Sequence, residues 1–139
     1  MSTANPTYNT NSVPKKLLLV DGMALVYRSF YAMNHAPRMN SKGINTSATV
    51  GFVNTLYDLL KQQRPTHAAV CFDLQKPTFR HLRYAEYKAN RDAMPEDIQS
   101  AIPYIHQFIQ AFRLPILTCE GYEADDVIGT VAKKSAAQG

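Results

Sequence analysis

The sequence lacks several features that mark common classes of protein. It has only two cysteines in 139 residues, Cys71 and Cys119, and no secretory signal, which argues against a disulfide framework. Both lie in apolar runs, so we expect buried thiols in a reducing cytoplasm. No apolar run approaches the ~20 residues that cross a bilayer, so no membrane partner is expected. No glycine-rich phosphate loop or DxD pair follows the first apolar run, which argues against a nucleotide-binding or phosphatase protein.

The composition and charge are those of a single globular domain with a localised basic segment. Hydrophobic residues make up 45% and charged residues 19% of the chain, a balance too apolar for disorder. The net charge is +4. The segment 76–91 carries five basic residues against one acid, so it accounts for the whole excess and indicates an anionic partner such as a phosphate backbone. A solvated basic face is the alternative.

Apolar runs alternate with helical patterns along the chain. Residues 1–14, rich in Ser, Thr, Asn and Pro, are expected to be a flexible tail before a domain at 15–139. Strands buried on both faces are predicted at 15–20, 67–72 and 114–119. Helices are predicted at 47–62, from Pro95 to about Phe112, and from Tyr122 to about Ala137. The fold class is therefore α/β, with a parallel sheet flanked by helices and no internal repeat.

The predicted apolar faces of the three helices follow helical spacing. The first comprises Val50, Val53, Leu56, Tyr57 and Leu60. The second comprises Ile98, Ile102, Ile105, Phe108, Ile109 and Phe112, and the third Ala124, Val127, Ile128 and Val131. The chain stops directly after a crossover helix that normally leads into a further strand, so we expect a truncated domain.

Five of the 11 acidic residues are predicted to meet at one edge of the sheet. Asp21 and Asp73 follow strands, and the first turn of the last helix carries Glu123, Asp125 and Asp126, where open α/β sheets place ligands. Singly, each can be a turn or capping residue. Together they repel unless cations neutralise them, and an all-carboxylate set suits Mg²⁺ or Mn²⁺. Glu123 and Asp126 share a helix face that Asp125 does not, so two ions are possible.

The order of these motifs resembles the 5′-3′ exonuclease domain of bacterial DNA polymerase I and, more widely, flap endonucleases and phage 5′ nucleases with a PIN-like fold. The residues that carry the resemblance read LLLVDG from 17, YRSF from 27, FD from 72, FRHLRYAEYKANR from 79 and GYEADDVIGT from 121. The resemblance covers residues 15–139. It implies a metal-dependent phosphodiester hydrolase that acts on DNA 5′ ends and flaps in replication and repair.

The resemblance also implies roles for individual residues. The five carboxylates correspond to metal-binding residues. Lys88 and Arg28 are the expected catalytic residues, Lys88 near the scissile phosphate and Arg28 as a further phosphate contact. Tyr87, Lys88 and Arg91 are expected at the base of a helical arch. The remaining candidate DNA-binding residues are Tyr27, Arg80, Arg83 and Tyr84; cations can stabilise phosphate charge and tyrosines can stack on bases.

The sequence departs from the family pattern in its length. A further strand, additional aspartates, a helix-three-turn-helix element and the polymerase domains of the full-length protein are not present, so we expect the isolated chain to be inactive or nearly so. Two alternatives stay open at this point. One is a non-catalytic DNA-binding fragment, and the other is a PIN-type ribonuclease, against which the YKANR segment argues.

Overall fold

The computed structural model describes residues 13–89 and 91–139. Three parallel strands form its sheet, in the order β1-β2-β3. They are β1 (Leu17–Asp21), β2 (His67–Cys71) and β3 (Ile116–Leu117). The helices are α1 (Gly22–Ala32), α2 (Ser47–Gln63), α3 (Phe79–Arg83), α4 (Glu96–Ala111) and α5 (Ala124–Gln138). This confirms the α/β class with a parallel sheet. Except for residues 13 and 14, which are exposed, the predicted tail lies outside the described residues.

The strands are less buried than predicted. β1 is mostly half-buried and pairs with β2 from Leu17↔His67 to Asp21↔Cys71. β3 was predicted over six residues but spans two, because Pro115 lacks an N–H and the residues after Leu117 turn away, exposed, at 118–120. β1 and β3 are the two edges of this three-stranded sheet, which explains why complete burial is confined to the end of β2.

The core lies between the sheet and the helices α1, α2 and α4. Phe52, Leu56, Ile98, Ile105 and Ile109 are fully buried. The predicted face of α2 was partly right, since Leu56 is buried and Leu60 packs against the core, but it missed the fully buried Phe52 and included Tyr57, which is 53% exposed. On α4 the buried stripe includes Ala101 in place of Phe108, which is 44% exposed. The buried faces of α2 and α4 follow helical spacing. A small shift in the assumed pattern therefore assigns the wrong residues to the buried face.

The last helix is only partly covered. α5 contacts β1 and β2, and of its four predicted core residues only Ala124 is buried while Val127, Ile128 and Val131 are half-buried. In the part of the chain that the structure describes, no helix is both long and apolar enough to cross a bilayer. Both cysteines are free thiols; Cys71 is buried, but Cys119 is exposed, because it follows the early end of β3.

Candidate metal and nucleic-acid site

The carboxyl ends of β1 and β2 carry two of the predicted metal ligands. Asp21 ends β1 and caps α1, where its Oδ1 accepts a hydrogen bond from the Ala24 N–H at 3.1 Å. Asp73 follows β2, and its Oδ1 accepts from the Ala124 N–H at the start of α5, at 2.6 Å. Since the two strands are adjacent and parallel, both aspartates lie at the same sheet edge. Asp73 therefore joins that edge to α5.

Gly22 packs directly against an aromatic ring beside these two aspartates. Gly22 follows Asp21, and a Cβ at this glycine would lie 2.5 Å from Cζ of Phe72, the residue before Asp73. Real Cβ atoms do not approach other atoms so closely, so any larger residue would force the buried Phe72 ring to move. The DG dipeptide thus serves packing as well as capping.

The start of α5 presents three acids in two directions. Glu123 is the N-cap, and it forms a capping box with Asp126, whose Oδ2 accepts from the Glu123 N–H at 2.9 Å. Asp125 lies about 100° around the helix from Asp126. It lies near Asp21 instead, and its negative charge helps to raise the pKa of that residue. Asp126 and Asp125 thus point in different directions, whereas Glu123 and Asp125 line the same cavity; the assignment of the acids to two ions stays a prediction.

Arg80 binds both acids of the capping box. Its Nη1 donates to Glu123 Oε2 at 2.9 Å and to Asp126 Oδ2 at 2.8 Å, while its Nη2 donates to Asp126 Oδ1 at 2.8 Å. This fork is the geometry in which a guanidinium binds carboxylates most strongly. The hydrogen bond from Arg80 is the main cause of the lowered pKa of Asp126. We call Glu123 and Asp126 the paired carboxylates.

Tyr87 and Lys88 complete the surroundings of Glu123. The Tyr87 hydroxyl donates to Oε2 at 3.1 Å, and the Lys88 ammonium donates to Oε1. Burial by itself raises the pKa of Glu123, but Lys88, Tyr87 and Arg80 outweigh it and the pKa is lowered. Burial likewise lowers the pKa of Lys88, and the bond to Glu123 outweighs it, so that pKa is raised. Both groups are held in their charged forms.

The other three acids have no such cations. Asp21, Asp73 and Asp125 form no ion pair within residues 13–89 and 91–139, and we call them the unpaired carboxylates. The pKa of Asp21 is raised, first by burial and then by the negative charges of Asp125 and Asp73. Burial and the charge of Asp21 also raise the pKa of the Cys71 thiol. The repulsion expected from clustered acids is therefore present here, and Arg80 and Lys88 remove it from the other pair.

A cavity of about 730 Å³ opens between the sheet edge and α4. Four of the five predicted ligands line it; Asp126 does not, because its carboxylate faces Arg80. Lys88 and Arg91 line the same cavity. The rest of the lining is mainly apolar and includes Met23, Tyr27, Phe72, Met94, Ile102 and His106. The cavity thus joins an acidic wall, two cations and an apolar wall.

The cavity wall includes a residue that the sequence reasoning missed. His106 lies on α4 four residues after Ile102, so helical spacing places both on the face that meets the cavity. That spacing was the available signal. His106 was not singled out because it lies within an apolar stripe of α4, where a histidine is usually interpreted as a core residue.

The predicted nucleic-acid contacts separate into two groups. Tyr27 lines the cavity and stacks on Tyr31 with ring centroids 6.3 Å apart. Arg28, Arg83 and Tyr84 are exposed and do not line it. The catalytic contact expected of Arg28 gains no support from this placement. Arg80 was expected to bind DNA, but its guanidinium is engaged with the paired carboxylates.

The expected helical arch is not found in the described residues. α3 has five residues and is followed by turns at 85–89, and residues 91–95 are irregular. Lys88 adopts a left-handed backbone conformation with φ of 57°. Such a φ is uncommon for a residue with a side chain, and it ends any helix that would run through Lys88. Two cations of the basic segment, Arg80 and Lys88, instead contact Glu123.

The chemistry of the unpaired carboxylates suits a hard divalent cation. They offer only oxygen ligands, and a cation would relieve their repulsion. However, no three His, Cys, Asp or Glu side chains among the residues described are arranged to hold one ion. Two physical causes are visible, since Asp21 and Asp73 each bind a backbone N–H and Glu123 binds cations. The ligand assignments stay a prediction.

The fold and this edge define a class of α/β protein with an acidic site at the carboxyl ends of a parallel sheet. The chain belongs to the 5′-3′ exonuclease family, because the model of its N-terminal resolvase-like domain matches residues 16–139. It is 41% identical over 126 residues to a DNA polymerase I of Bacillus caldotenax and 47% identical over 123 residues to that of Chloroflexus aurantiacus. The alignments cover 90% and 88% of this chain but 14% and 13% of those relatives.

Solved structures share the fold. A bacteriophage T5 5′-exonuclease with zinc ions bound gives a TM-score of 0.56 at 24% identity, and the match covers 84% of this chain and 43% of that one. A T5 flap endonuclease in a complex with DNA and metal ions gives 0.54 at 26% identity, with the same 84% and 43% covered. The chain therefore spans less than half of these structural neighbours.

Proposed function

We propose that the sheet edge that carries the five carboxylates of this chain is part of the active site of a 5′ nuclease. That nuclease hydrolyses phosphodiester bonds at DNA 5′ ends and flaps. The observation that carries the proposal is the cavity in which four carboxylates face Lys88 and Arg91. A phosphodiester needs cations to bind it, and its hydrolysis needs a water that is activated beside it. Family membership over residues 16–139 supports the same reaction.

Lys88 and Arg91 are proposed to bind the DNA backbone. Both line the cavity, and contacts from cations to phosphates do not depend on base identity. Lys88 would exchange Glu123 for a phosphate oxygen, since both are anionic acceptors within reach of one ammonium. At the phosphate, the charge of the ammonium group stabilises the negative charge that grows during hydrolysis.

Asp21, Asp73 and Asp125 are proposed to hold a Mg²⁺ or Mn²⁺ ion, and Glu123 to assist once Lys88 has left it. When bound, the ion supplies an activated water at neutral pH. The T5 5′-exonuclease with bound zinc and the T5 flap endonuclease with metal ions support a divalent metal for this edge. A second ion, with further ligands outside this chain, is part of the proposal.

We propose that the chain alone binds DNA but cleaves it weakly. Two acids are occupied by cations, and the described residues hold no ready three-ligand cluster. Because the relatives are DNA polymerases I, we propose that polymerase domains linked to this one are its partners.

A salt titration tests the nucleic-acid part of the proposal. Binding of a 5′-flap DNA to the 139-residue chain is measured by fluorescence anisotropy between about 50 and 200 mM salt. Lys88→Ala with Arg91→Ala should flatten the slope of log K against log salt by about 2, because each phosphate contact contributes roughly 0.9. The matched control is Lys133→Ala with Lys134→Ala, two exposed cations on α5. Equal slopes for the two double variants would contradict the assignment.

Cleavage of the same DNA tests the chemistry. With Mn²⁺ present, any product should disappear in Asp125→Asn and persist in Asp58→Asn, an exposed acid of α2. Product that survives Asp125→Asn would show that this edge does not perform the reaction. Fast cleavage by the wild-type chain would instead show that its own acids suffice.

A further inference from the structure

His106 is a polar residue in an apolar wall. Its imidazole lines the cavity from α4 and packs edge-on against Phe72, with ring centroids 4.6 Å apart. Its Nε2 is buried and has no hydrogen-bond partner among the described residues. Burial lowers the pKa of His106, which favours the neutral ring with one donor and one acceptor nitrogen.

Packing alone does not account for a histidine here. The neighbouring core residues Ile105 and Ile109 are fully buried and apolar, and a phenylalanine would fill the same wall without stranding a nitrogen. A buried polar atom without a partner lowers stability, so native proteins keep few of them. Because Nε2 itself has almost no accessible surface, it gains a partner in the cavity only if the imidazole ring turns.

The wall around His106 suits a nucleobase better than a phosphate. Phe72 packs against the imidazole, and Met94 and Ile102 add apolar surface to the same lining, which also contains the cations Lys88 and Arg91. A base has apolar faces and a polar edge, so it can contact the wall and hydrogen-bond at once. A half-turn about the Cβ–Cγ bond exchanges ring nitrogens with carbons while the ring outline is kept, which lets a nitrogen change its neighbours without repacking.

We propose that His106 hydrogen-bonds to the edge of one nucleobase, in the nucleotide whose phosphate lies against Lys88 and Arg91. The inference rests on the proposed function, since it needs a DNA strand in the cavity. His106 is a specificity and positioning residue in this account. It binds a base and takes no part in bond cleavage.

The test compares intact and abasic DNA. Short 5′-phosphorylated single strands, one intact and a set with each nucleotide in turn made abasic, are bound to the 139-residue chain without metal. His106→Phe should bind the intact strand about fivefold more weakly, the factor that one neutral hydrogen bond carries. For the strand abasic at the contacted position, wild type and His106→Phe should bind equally. Tyr104→Phe, on an exposed face of the same helix, is the control.

Thermal unfolding separates this role from a structural one. His106→Phe should unfold at a higher temperature than wild type because the unpartnered nitrogen is gone, while its affinity falls. His106→Gln, which keeps a hydrogen-bonding group, should retain most of the affinity. A fivefold loss that is the same for every strand, or no loss in His106→Phe, overturns the inference and leaves the proposed function intact. Failure of the wild-type chain to bind any strand overturns both.

Discussion

The paired and the unpaired carboxylates lie at one sheet edge and carry the same charge, yet they have opposite surroundings. Glu123 and Asp126 receive Arg80, Lys88 and Tyr87, and both of their pKa values are lowered. Asp21, by contrast, meets Asp73 and Asp125, and its pKa is raised.

The difference shows how the fold divides stability from function. The paired carboxylates join α3 and the turns after it to the start of α5, so they stabilise the fold. Among the unpaired carboxylates, the charge of Asp21 opposes stability at neutral pH, because burial and the charges of Asp125 and Asp73 raise its pKa, and a cation can relieve this. Sites that work against stability are common where a ligand binds.

The largest expected effect concerns the packing that positions the unpaired carboxylates. Gly22→Ala places a methyl group 2.5 Å from the Phe72 ring and should lower the free energy of unfolding by about 3 kcal/mol. Gly129→Ala, within α5, is the control, since a Cβ there would have no neighbour within 4 Å among residues 13–89 and 91–139 apart from its own helix. That change should raise stability by roughly 0.5 to 1 kcal/mol. Urea denaturation measures both, and similar effects would refute the close approach.

The second largest loss of stability is expected from removal of a paired carboxylate. Glu123→Ala removes the N-cap of α5 and the acceptor of Arg80, Tyr87 and Lys88, so we expect a loss of about 2 kcal/mol, below that of a fully buried pair. Glu120→Ala breaks only the exposed pair with Lys76 and should cost less than about 0.5 kcal/mol. Chemical denaturation of both variants provides the comparison.

Acid should weaken the paired carboxylates selectively. Their folded pKa values are lowered, so their stabilising contribution is present above the unfolded values of about 4.5 and 3.8 and is lost as pH falls through the folded values. Thermal unfolding of wild type and Glu123→Gln from about pH 7 to pH 3 should therefore converge at the acid end. A difference in unfolding temperature between the two proteins that stays constant over this pH range would contradict the pairing.

Asp21 should show the opposite sign. Its folded pKa is raised, so its charge destabilises the protein above that pKa and the penalty disappears below the unfolded value of 3.8. Asp21→Asn loses the charge but keeps a side-chain oxygen for the Ala24 N–H, and should raise stability at pH 7 by about 0.5 kcal/mol. The gain should shrink in acid. A loss at neutral pH would show that the repulsion is already compensated.

Local patterns predicted the elements that create the edge. The apolar runs ending at Asp21 and Phe72 indicated β1 and β2, and the helical spacing before Gln63 and after Pro95 indicated α2 and α4. Topology then placed acids at one edge without any knowledge of side-chain contacts. The shortening of β3 was not predicted, because it depends on how few ladder bonds the strand finds next to Pro115.

The contacts that divide the acids could not be predicted from the sequence. Arg80 and Asp126 are 46 positions apart, and their pairing depends on how the turns at 85–89 fold back onto α5. Charge alone left Arg80 as a DNA-binding candidate. Long-range pairs of this kind depend on tertiary structure, which periodicity and propensity do not report.

A Mn²⁺ titration of the 139-residue chain, followed by the electron paramagnetic resonance signal of free Mn²⁺, tests the central claim most directly. The claim is that the unpaired carboxylates form the cation site. Wild type should bind Mn²⁺, Asp125→Asn should bind it at least about tenfold more weakly, and Asp58→Asn should match wild type. Equal affinity in all three proteins, or no binding by wild type at millimolar Mn²⁺, would contradict the account.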